Sequence, residues 1–175
     1  GGRSQGQIIS GIEASETRSW SILHLAEGDD EESCGGALVE QNRLGPAGYH
    51  RSGSWADGIS TACKQSLVRN NPIVDATDVA LVLFGGPGSI IEDNHIIANT
   101  RIASAGITLV DFGPYDGNFS GSIVRRNTID ARNATIGVGV AMGPRTWQCM
   151  NPQDLVNVTL WNATVTENTL RGDHM

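Results

Sequence analysis

The amino-acid sequence predicts an all-β protein, a parallel β-helix (a solenoid) of about six coils. Three observations support this prediction: a short phrase that recurs along the chain, short apolar segments between its copies, and a composition typical of strands joined by tight turns. The 175 residues include 22 Gly and only 5% aromatic residues, with many Asn, Ser, Thr, Val and Ile. β-Branched residues favour strands, whereas Gly, Asn and Ser favour turns.

The recurring phrase consists of a small residue, two apolar residues, two polar residues, an Asn, any residue and an apolar residue. Ser66–Ile73 reads SLVRNNPI, and Ser89–Ile96 reads SIIEDNHI. The Asn residues that mark the five copies are Asn42, Asn71, Asn94, Asn127 and Asn168. Their separations of 29, 23, 33 and 41 residues fit a solenoid repeat of about two dozen residues with insertions. We expect these amides to stack in a ladder inside the turn, each bonding the next.

Apolar segments between the marker residues read as strands because they are too short for helices. Four of them are Gly58–Cys63, Ala80–Phe84, Gly106–Val110 and Gly137–Met142. Trp20–Leu25 reads as another short strand. Units of this size cannot bury an apolar face alone, so they must stack into parallel sheets. The alignment places these residues in one core column: Ile59, Leu81, Ile107 and Val138.

The repeat divides the chain into three parts. Residues 1–19 are polar, apart from one apolar pair, and are expected to form an N-terminal arm or an irregular first coil. Residues 20–171 are assigned to the β-helix, and residues 172–175 to a C-terminal tail. A leucine-rich repeat would need a regular Leu framework and a helical return, and the sequence contains neither.

Charge and hydropathy limit the partners. The formal net charge of −7 argues against a nucleic-acid partner, which would need a basic face. No apolar run approaches the roughly 20 residues of a membrane span, so no membrane partner is expected. The sequence opens on Gly1-Gly2 and is expected to be a mature or trimmed product. Four glycosylation sequons favour a secreted, extracellular glycoprotein: Asn118, Asn133, Asn157 and Asn162.

Two cysteines test the repeat. Cys34 and Cys63 each precede a marker Asn by eight residues, so they occupy one column on adjacent coils. Strands about 4.8 Å apart lie within the Cα spacing that a disulfide requires. The sequence therefore predicts a Cys34–Cys63 disulfide, the alternative being two buried free thiols. Cys149 is left over, which points to a partner in missing sequence, another chain or a buried thiol.

The stacked turns resemble those of the pectate-lyase-like superfamily of right-handed parallel β-helices, also called the pectin lyase fold. The likeness covers about residues 34–170 and is carried by Trp55–Ser60, Asp75–Asp78 and Phe84–Ser89 beside the marker phrases. Within this superfamily, the sequence most resembles the secreted fungal members. The resemblance implies a right-handed helix whose substrate groove runs along one outer sheet face. It leaves the chemistry open, because the superfamily holds lyases, hydrolases, esterases, epimerases and non-enzymatic adhesins.

Asp57 and Asp78 are the leading catalytic candidates, since both fall just before the same strand on neighbouring coils. Carboxylates about 5–6 Å apart match a retaining glycosidase pair, in which one pKa is raised. The same pair could equally hold Ca²⁺, and Asp29 and Asp30 of the acidic loop could add ligands. The competing interpretation is that Asp57 and Asp78 cap turns.

Lyases of the resembling fold use an Arg or Lys base, with Ca²⁺ acidifying the proton to be removed. The resemblance therefore nominates Lys64 and Arg145 as catalytic groups, with Arg101 as a further cation. The segments of the polygalacturonases are not reproduced, and no GHG occurs, so their mechanism is not carried over.

Other residues are candidates for binding the substrate. Aromatic side chains can stack on sugar rings, and loops on a rigid solenoid commonly carry binding residues. The candidates for substrate binding are Trp55, His50, Arg101, Asp111, Tyr115 and Trp147. The leading hypothesis is a secreted protein that cleaves a uronate-type polysaccharide by Ca²⁺-assisted β-elimination. The alternatives are a glycoside hydrolase with a paired Asp site and a non-catalytic carbohydrate-binding or surface-interaction module.

Overall fold

The computed structural model describes residues 3–25, 30, 32–49, 53–111, 114–143, 146 and 159–173. Within these ranges the chain forms nineteen β-strands and no helix. None of the described residues therefore belongs to a helix that could cross a membrane.

Three parallel sheets run the length of the molecule. The first sheet contains β2 (Ile8–Ser10), β6 (Leu38–Glu40), β9 (Leu67–Arg69), β12 (Ile90–Glu92), β15 (Ile123–Arg125) and β18 (Thr164–Thr166). The second contains β3 (Glu13–Ala14), β7 (Arg43–Leu44), β10 (Pro72–Val74), β13 (His95–Ala98), β16 (Thr128–Ala131) and β19 (Thr169–Arg171). The third contains β4 (Ser21–Leu25), β8 (Asp57–Thr61), β11 (Val79–Phe84), β14 (Ala103–Val110) and β17 (Ile136–Met142). The short strands β1 (Ser4–Gln5) and β5 (Cys34–Gly35) pair with each other.

Each coil passes through the first, second and third sheets in that order, and its strands pair in register with those of the next coil. In the first sheet, for example, Ile91 pairs with Val68 on one side and Val124 on the other. All three of these side chains are buried in a single core cluster that runs up the stack. The predicted β-helix is confirmed. The described part of residues 1–19 supplies β1, β2 and β3, which pair in register with the following coil.

The Asn ladder is confirmed in atomic detail. The side-chain nitrogen of Asn42 donates to the oxygen of Asn71 at 3.0 Å, and that of Asn71 donates to Asn94 at 2.9 Å. The ladder continues from Asn94 to Asn127 and from Asn127 to Asn168, at 2.9 Å each. Each amide also bonds backbone groups inside the turn, so these buried polar groups have partners.

A left-handed backbone residue precedes every marker Asn. The φ angles lie between 53° and 56° at Gln41, Asn70, Asp93, Arg126 and Glu167. None of these is Gly, although this region is unfavourable for other residues. The ladder on one side and the paired strand on the other hold the turn in this conformation. In the first coil, Gly11 occupies the position of the left-handed residue and Ile12 that of the marker Asn. Ile12 donates its backbone N–H to the side-chain oxygen of Asn42.

One predicted core position is wrong. Ile59, Leu81 and Ile107 do form a column, but the partner of Ile107 on β17 is Val140, not Val138. Val138 is 47% exposed. Gly137-Val138 and Gly139-Val140 are identical dipeptides, so local pattern could not choose between them. The length of the turn after β16 makes the choice.

The third sheet has a bend that turns its first residues outward. In β11, the side chains of Ala80 and Leu81 both pack in the main core. The residues before and after them in the sequence, Val79 and Val82, belong to a second apolar cluster. Side chains normally alternate along a strand, so the alternation is interrupted at Ala80. A Cβ at Gly58, which is level with Ala80, would lie 2.5 Å from the Ile73 side chain. Residues just before this level, including Asp57, therefore face away from the core.

The Cys34–Cys63 disulfide is also confirmed, with the two Cα atoms 4.7 Å apart. Both cysteines are buried, and the bond ties the second coil to the third. The disulfide verifies the column that the repeat predicted for these two residues.

Candidate active site

Asp57 is the first residue of β8 and is almost fully buried, with 3% of its surface exposed. Its Oδ1 accepts the backbone N–H of Val79 at 3.1 Å, and its Oδ2 lies 2.8 Å from the hydroxyl of Ser60. The carboxyl therefore bridges the start of β8 and the start of β11. Part of its role is the cap that the sequence offered as the competing interpretation.

Asp78 lies one residue before β11 and is half-buried. Its backbone N–H donates to Ala56 at 3.1 Å, and its carbonyl accepts from Ser104 at 2.8 Å. In the register of the two coils, Asp57 stands opposite Val79 and Ala56 stands opposite Asp78. The two acids are therefore offset by one position. Their side chains are nevertheless close enough for their charges to interact.

Burial raises the pKa of both carboxyls. For Asp57, loss of solvent is the largest effect and, opposed by the Ser60 hydrogen bond and assisted by the negative charge of Asp78, raises the pKa to about 7. For Asp78, burial raises the pKa against the effect of a hydrogen bond from Ser104. A carboxyl whose pKa lies near neutral pH, beside a second carboxyl, is a pattern found in acid–base catalysis.

An exposed aromatic residue shares a column with Asp78. The backbone of Trp20 accepts from Asp57 at 2.8 Å, which places Trp20 level with Ala56 and therefore with Asp78. Trp20 is 58% exposed and contacts the ring of His24, and Trp55, adjacent to Ala56, is 45% exposed. This edge of the third sheet thus combines two accessible indole rings and a carboxyl within three neighbouring coils.

The described residues around Asp57 do not fit a Ca²⁺ site. The described ranges contain no group of three or more His, Cys, Asp or Glu residues arranged to hold a metal. Ca²⁺ takes six to eight oxygen ligands, and both oxygens of Asp57 already contact Val79 and Ser60. Asp30 accepts from the backbone of Glu32 and the hydroxyl of Ser33, as a turn cap does. Asp29 lies outside the described residues.

The two described cations nominated from the sequence are held in ion pairs. Lys64 pairs with Glu32, beyond the far end of β8 from Asp57. Arg101 binds both carboxylate oxygens of Glu16, at 2.9 and 2.8 Å, and also the carbonyl of Gly48. Arg101 therefore joins three coils.

Two further substrate-binding candidates lie away from the Asp pair. Tyr115 is buried, and its ring packs where a side chain on Gly85 would otherwise sit. Asp111 follows β14, and its Oδ1 is buried without a hydrogen-bond partner among the described residues.

The remaining candidates divide into surface and undescribed positions. Among the glycosylation candidates, Asn133 and Asn162 are exposed and Asn118 is half-buried. Six of the residues singled out from the sequence lie outside the described part of the chain: Asp29, His50, Arg145, Trp147, Cys149 and Asn157.

Sequence reasoning did not identify the serines that contact the acidic pair. Ser60 bonds Asp57, Ser104 bonds Asp78, and Ser21 bonds Ser60 at 2.9 Å. The register could have revealed Ser21, because it pairs directly with Asp57.

Comparison with known proteins gives one match. Residues 32–174 match the family described as a right handed beta helix region. No curated protein and no solved structure matches the chain significantly.

Proposed function

The chain belongs to the right-handed β-helix family, and we propose that it is a secreted protein that cleaves a polysaccharide by general acid–base hydrolysis. The fold family includes enzymes that act on polysaccharides. The observation that carries the proposal is the Asp57–Asp78 pair, two interacting carboxyls with raised pKa values beside an exposed aromatic edge. Asp57 acts as the acid, and the more exposed Asp78 acts as the base or nucleophile.

Substrate would cross the coils along the edge that contains Trp20, Trp55 and Asp78. Successive coils are about 4.8 Å apart, so a sugar chain running up the stack meets equivalent positions repeatedly. The indole faces supply flat apolar surfaces for sugar rings. The net charge of −7 disfavours recognition of an anionic polysaccharide by bulk charge. An anionic substrate would therefore have to be recognised by individual groups along this edge.

Hydrolysis is favoured over Ca²⁺-assisted elimination because of the groups present. Lys64 and Arg101, two of the candidate cations, are engaged by Glu32 and Glu16. The described acids near Asp57 do not assemble the oxygen set that Ca²⁺ prefers.

A non-catalytic binding module is the second candidate, favoured by the cap that Asp57 forms on the Val79 N–H. The experiment is incubation of the protein with neutral polysaccharides, polygalacturonate and alginate, with and without EDTA. New reducing ends without ultraviolet absorbance from unsaturated products are expected. EDTA-sensitive absorbance would establish the lyase, and binding without any new ends would establish the module.

A further inference from the structure

A chain of short oxygen–oxygen contacts runs from Asp57 to β4. The Oδ2 of Asp57 lies 2.8 Å from the hydroxyl of Ser60, which lies 2.9 Å from the hydroxyl of Ser21. The Ser21 hydroxyl in turn lies 2.8 Å from the backbone carbonyl of Leu23. All three distances are those of O–H···O hydrogen bonds, so each contact requires a hydrogen between its two oxygens.

The number of hydrogens available decides the protonation state. Each serine hydroxyl carries one hydrogen, and the Leu23 carbonyl carries none. Three contacts therefore need one hydrogen more than Ser21 and Ser60 supply. With an ionised Asp57, Ser60 would donate to the carboxylate, and the single hydrogen of Ser21 would have to serve both Ser60 and Leu23. One pair of oxygens would then face each other with no hydrogen between them.

We propose that Asp57 is a neutral carboxylic acid that donates its proton to Ser60, and that Ser60 and Ser21 are positioning residues that keep the proton there. The direction of donation is from Asp57 to Ser60, from Ser60 to Ser21, and from Ser21 to the Leu23 carbonyl. In this state both serine hydrogens point away from the carboxyl, and turning the Ser60 hydrogen toward an ionised Asp57 would leave one of the oxygen–oxygen contacts without a hydrogen.

The groups packed around Asp57 agree with this state. Its Oδ1 accepts the N–H of Val79, as the carbonyl oxygen of a neutral acid does. The titratable groups facing it from the neighbouring strands are few: β4 carries His24, and Asp78 stands directly before β11, which has none of its own. Asp78 contributes a negative charge, and burial removes water, so both disfavour a second charge on Asp57.

The division of roles between the two acids rests on the proposed function, whereas the proton count does not. A retained proton makes Asp57 the acid of the pair and leaves Asp78 as the member that ionises first. Ser21, which is half-buried at the start of β4, sets this division without touching the carboxyl.

The test is a carboxyl ¹³C NMR titration of the full chain, with Asp57 assigned by its loss in Asp57→Asn. In the native protein the Asp57 midpoint is expected near 7. Ser21→Ala frees the Ser60 hydrogen to donate to the carboxylate, so the Asp57 midpoint should fall by about one pH unit. Ser21→Thr, which keeps a hydroxyl, and Ser19→Ala, on the exposed turn nearby, should leave the midpoint unchanged.

A midpoint that stays or rises in Ser21→Ala would overturn the proposal, because loss of polarity alone raises it. So would an Asp57 already ionised at pH 5 in the native protein. If a variant does not fold, the infrared carbonyl band of a protonated carboxyl at pH 5.5, present in the native protein and reduced in Asp57→Asn, decides the matter. None of these readouts needs activity, so an inactive protein leaves the inference intact. Where activity is found, Ser21→Ala should move its alkaline limb to lower pH.

Discussion

The amide oxygen of Asn94 accepts two hydrogen bonds from Asn71, from the side-chain nitrogen at 2.9 Å and from the backbone N–H at 3.1 Å. The same pattern links each marker Asn to the next, so one column of amides joins five coils. Both residues are fully buried, with at most 1% exposed. Any change to this column leaves polar groups without partners in the core.

Replacing Asn94 by Ala should destabilise the protein by on the order of 3 kcal/mol or more, because two donors of Asn71 and the Val68 carbonyl lose their partner. Urea unfolding measures this loss. Asn168→Ala, at the half-buried last step of the ladder, is the matched control and should cost less. Equal losses at the two positions would show that the ladder does not depend on burial.

Removing the Cys34–Cys63 disulfide by a double Cys→Ala change should cost about 3 kcal/mol, because the bond closes a loop spanning 29 residues. The unfolding midpoint with and without reductant measures the effect. The double variant should show no response to reductant, which serves as the control. A native protein equally indifferent to reductant would mean that the bond contributes nothing to its stability.

Stability should fall as the pH rises between about 4 and 7, because the folded protein binds the Asp57 proton more tightly than the unfolded chain does. The pKa of Asp57 is raised from 3.8 to about 7, so its contribution is complete below 3.8 and is lost as the pH passes 7. The upper bound of the change is about 4 kcal/mol. Asp93 and Asp130 have lowered pKa values in the folded protein, so their contributions to stability increase as the pH rises.

Asp57→Asn isolates this effect. An amide donates a hydrogen toward Ser60, as a neutral acid does, and keeps the oxygen that accepts from Val79. The difference in unfolding free energy between native protein and variant, measured from pH 4 to 8, should therefore follow a titration centred near 7 at its upper end. A difference independent of pH would contradict the raised pKa.

Asp78→Asn should reduce hydrolysis by about 100-fold or more without loss of fold, since a positioned acid or base contributes at least that factor. Initial rates of reducing-end release measure it. The control is Asp111→Asn, which changes a half-buried acid that lies away from the Asp pair and should leave the rate nearly unchanged. Unfolding of Asp78→Asn would instead support a purely structural role.

Trp20→Ala should weaken polysaccharide binding by about tenfold, because an exposed ring that stacks on sugar loses its apolar face. Affinity electrophoresis measures the change. Trp161→Ala is the matched control, as Trp161 is similarly exposed at 43% but pairs with Asn118 near the last coils. Equal effects of the two changes would argue against the proposed edge.

The sequence allowed the coil architecture to be predicted because each repeat carries its own signal. Asn71 and Asn94 mark two copies of the same pattern of residue types, and Cys34 and Cys63 stand at equal distances from their markers. In the third sheet the local Gly-Val pattern favoured Val138, although Val140 stands as far after Asn127 as Ile107 stands after Asn94. Asp57 and Asp78 were identified as neighbours, but their one-position offset and their serine partners were not.

The sequence by itself determined the β-helix, its Asn ladder and its disulfide, because stacking repeated units brings equivalent residues into contact. Only the tertiary structure decided which groups surround Asp57. Ser21 comes from the preceding coil, Ser60 from the same strand and Val79 from the following coil, and their distances depend on how the bend at Ala80 orients the sheet. A protonation state set by hydrogens counted across three coils has no local signature in the chain.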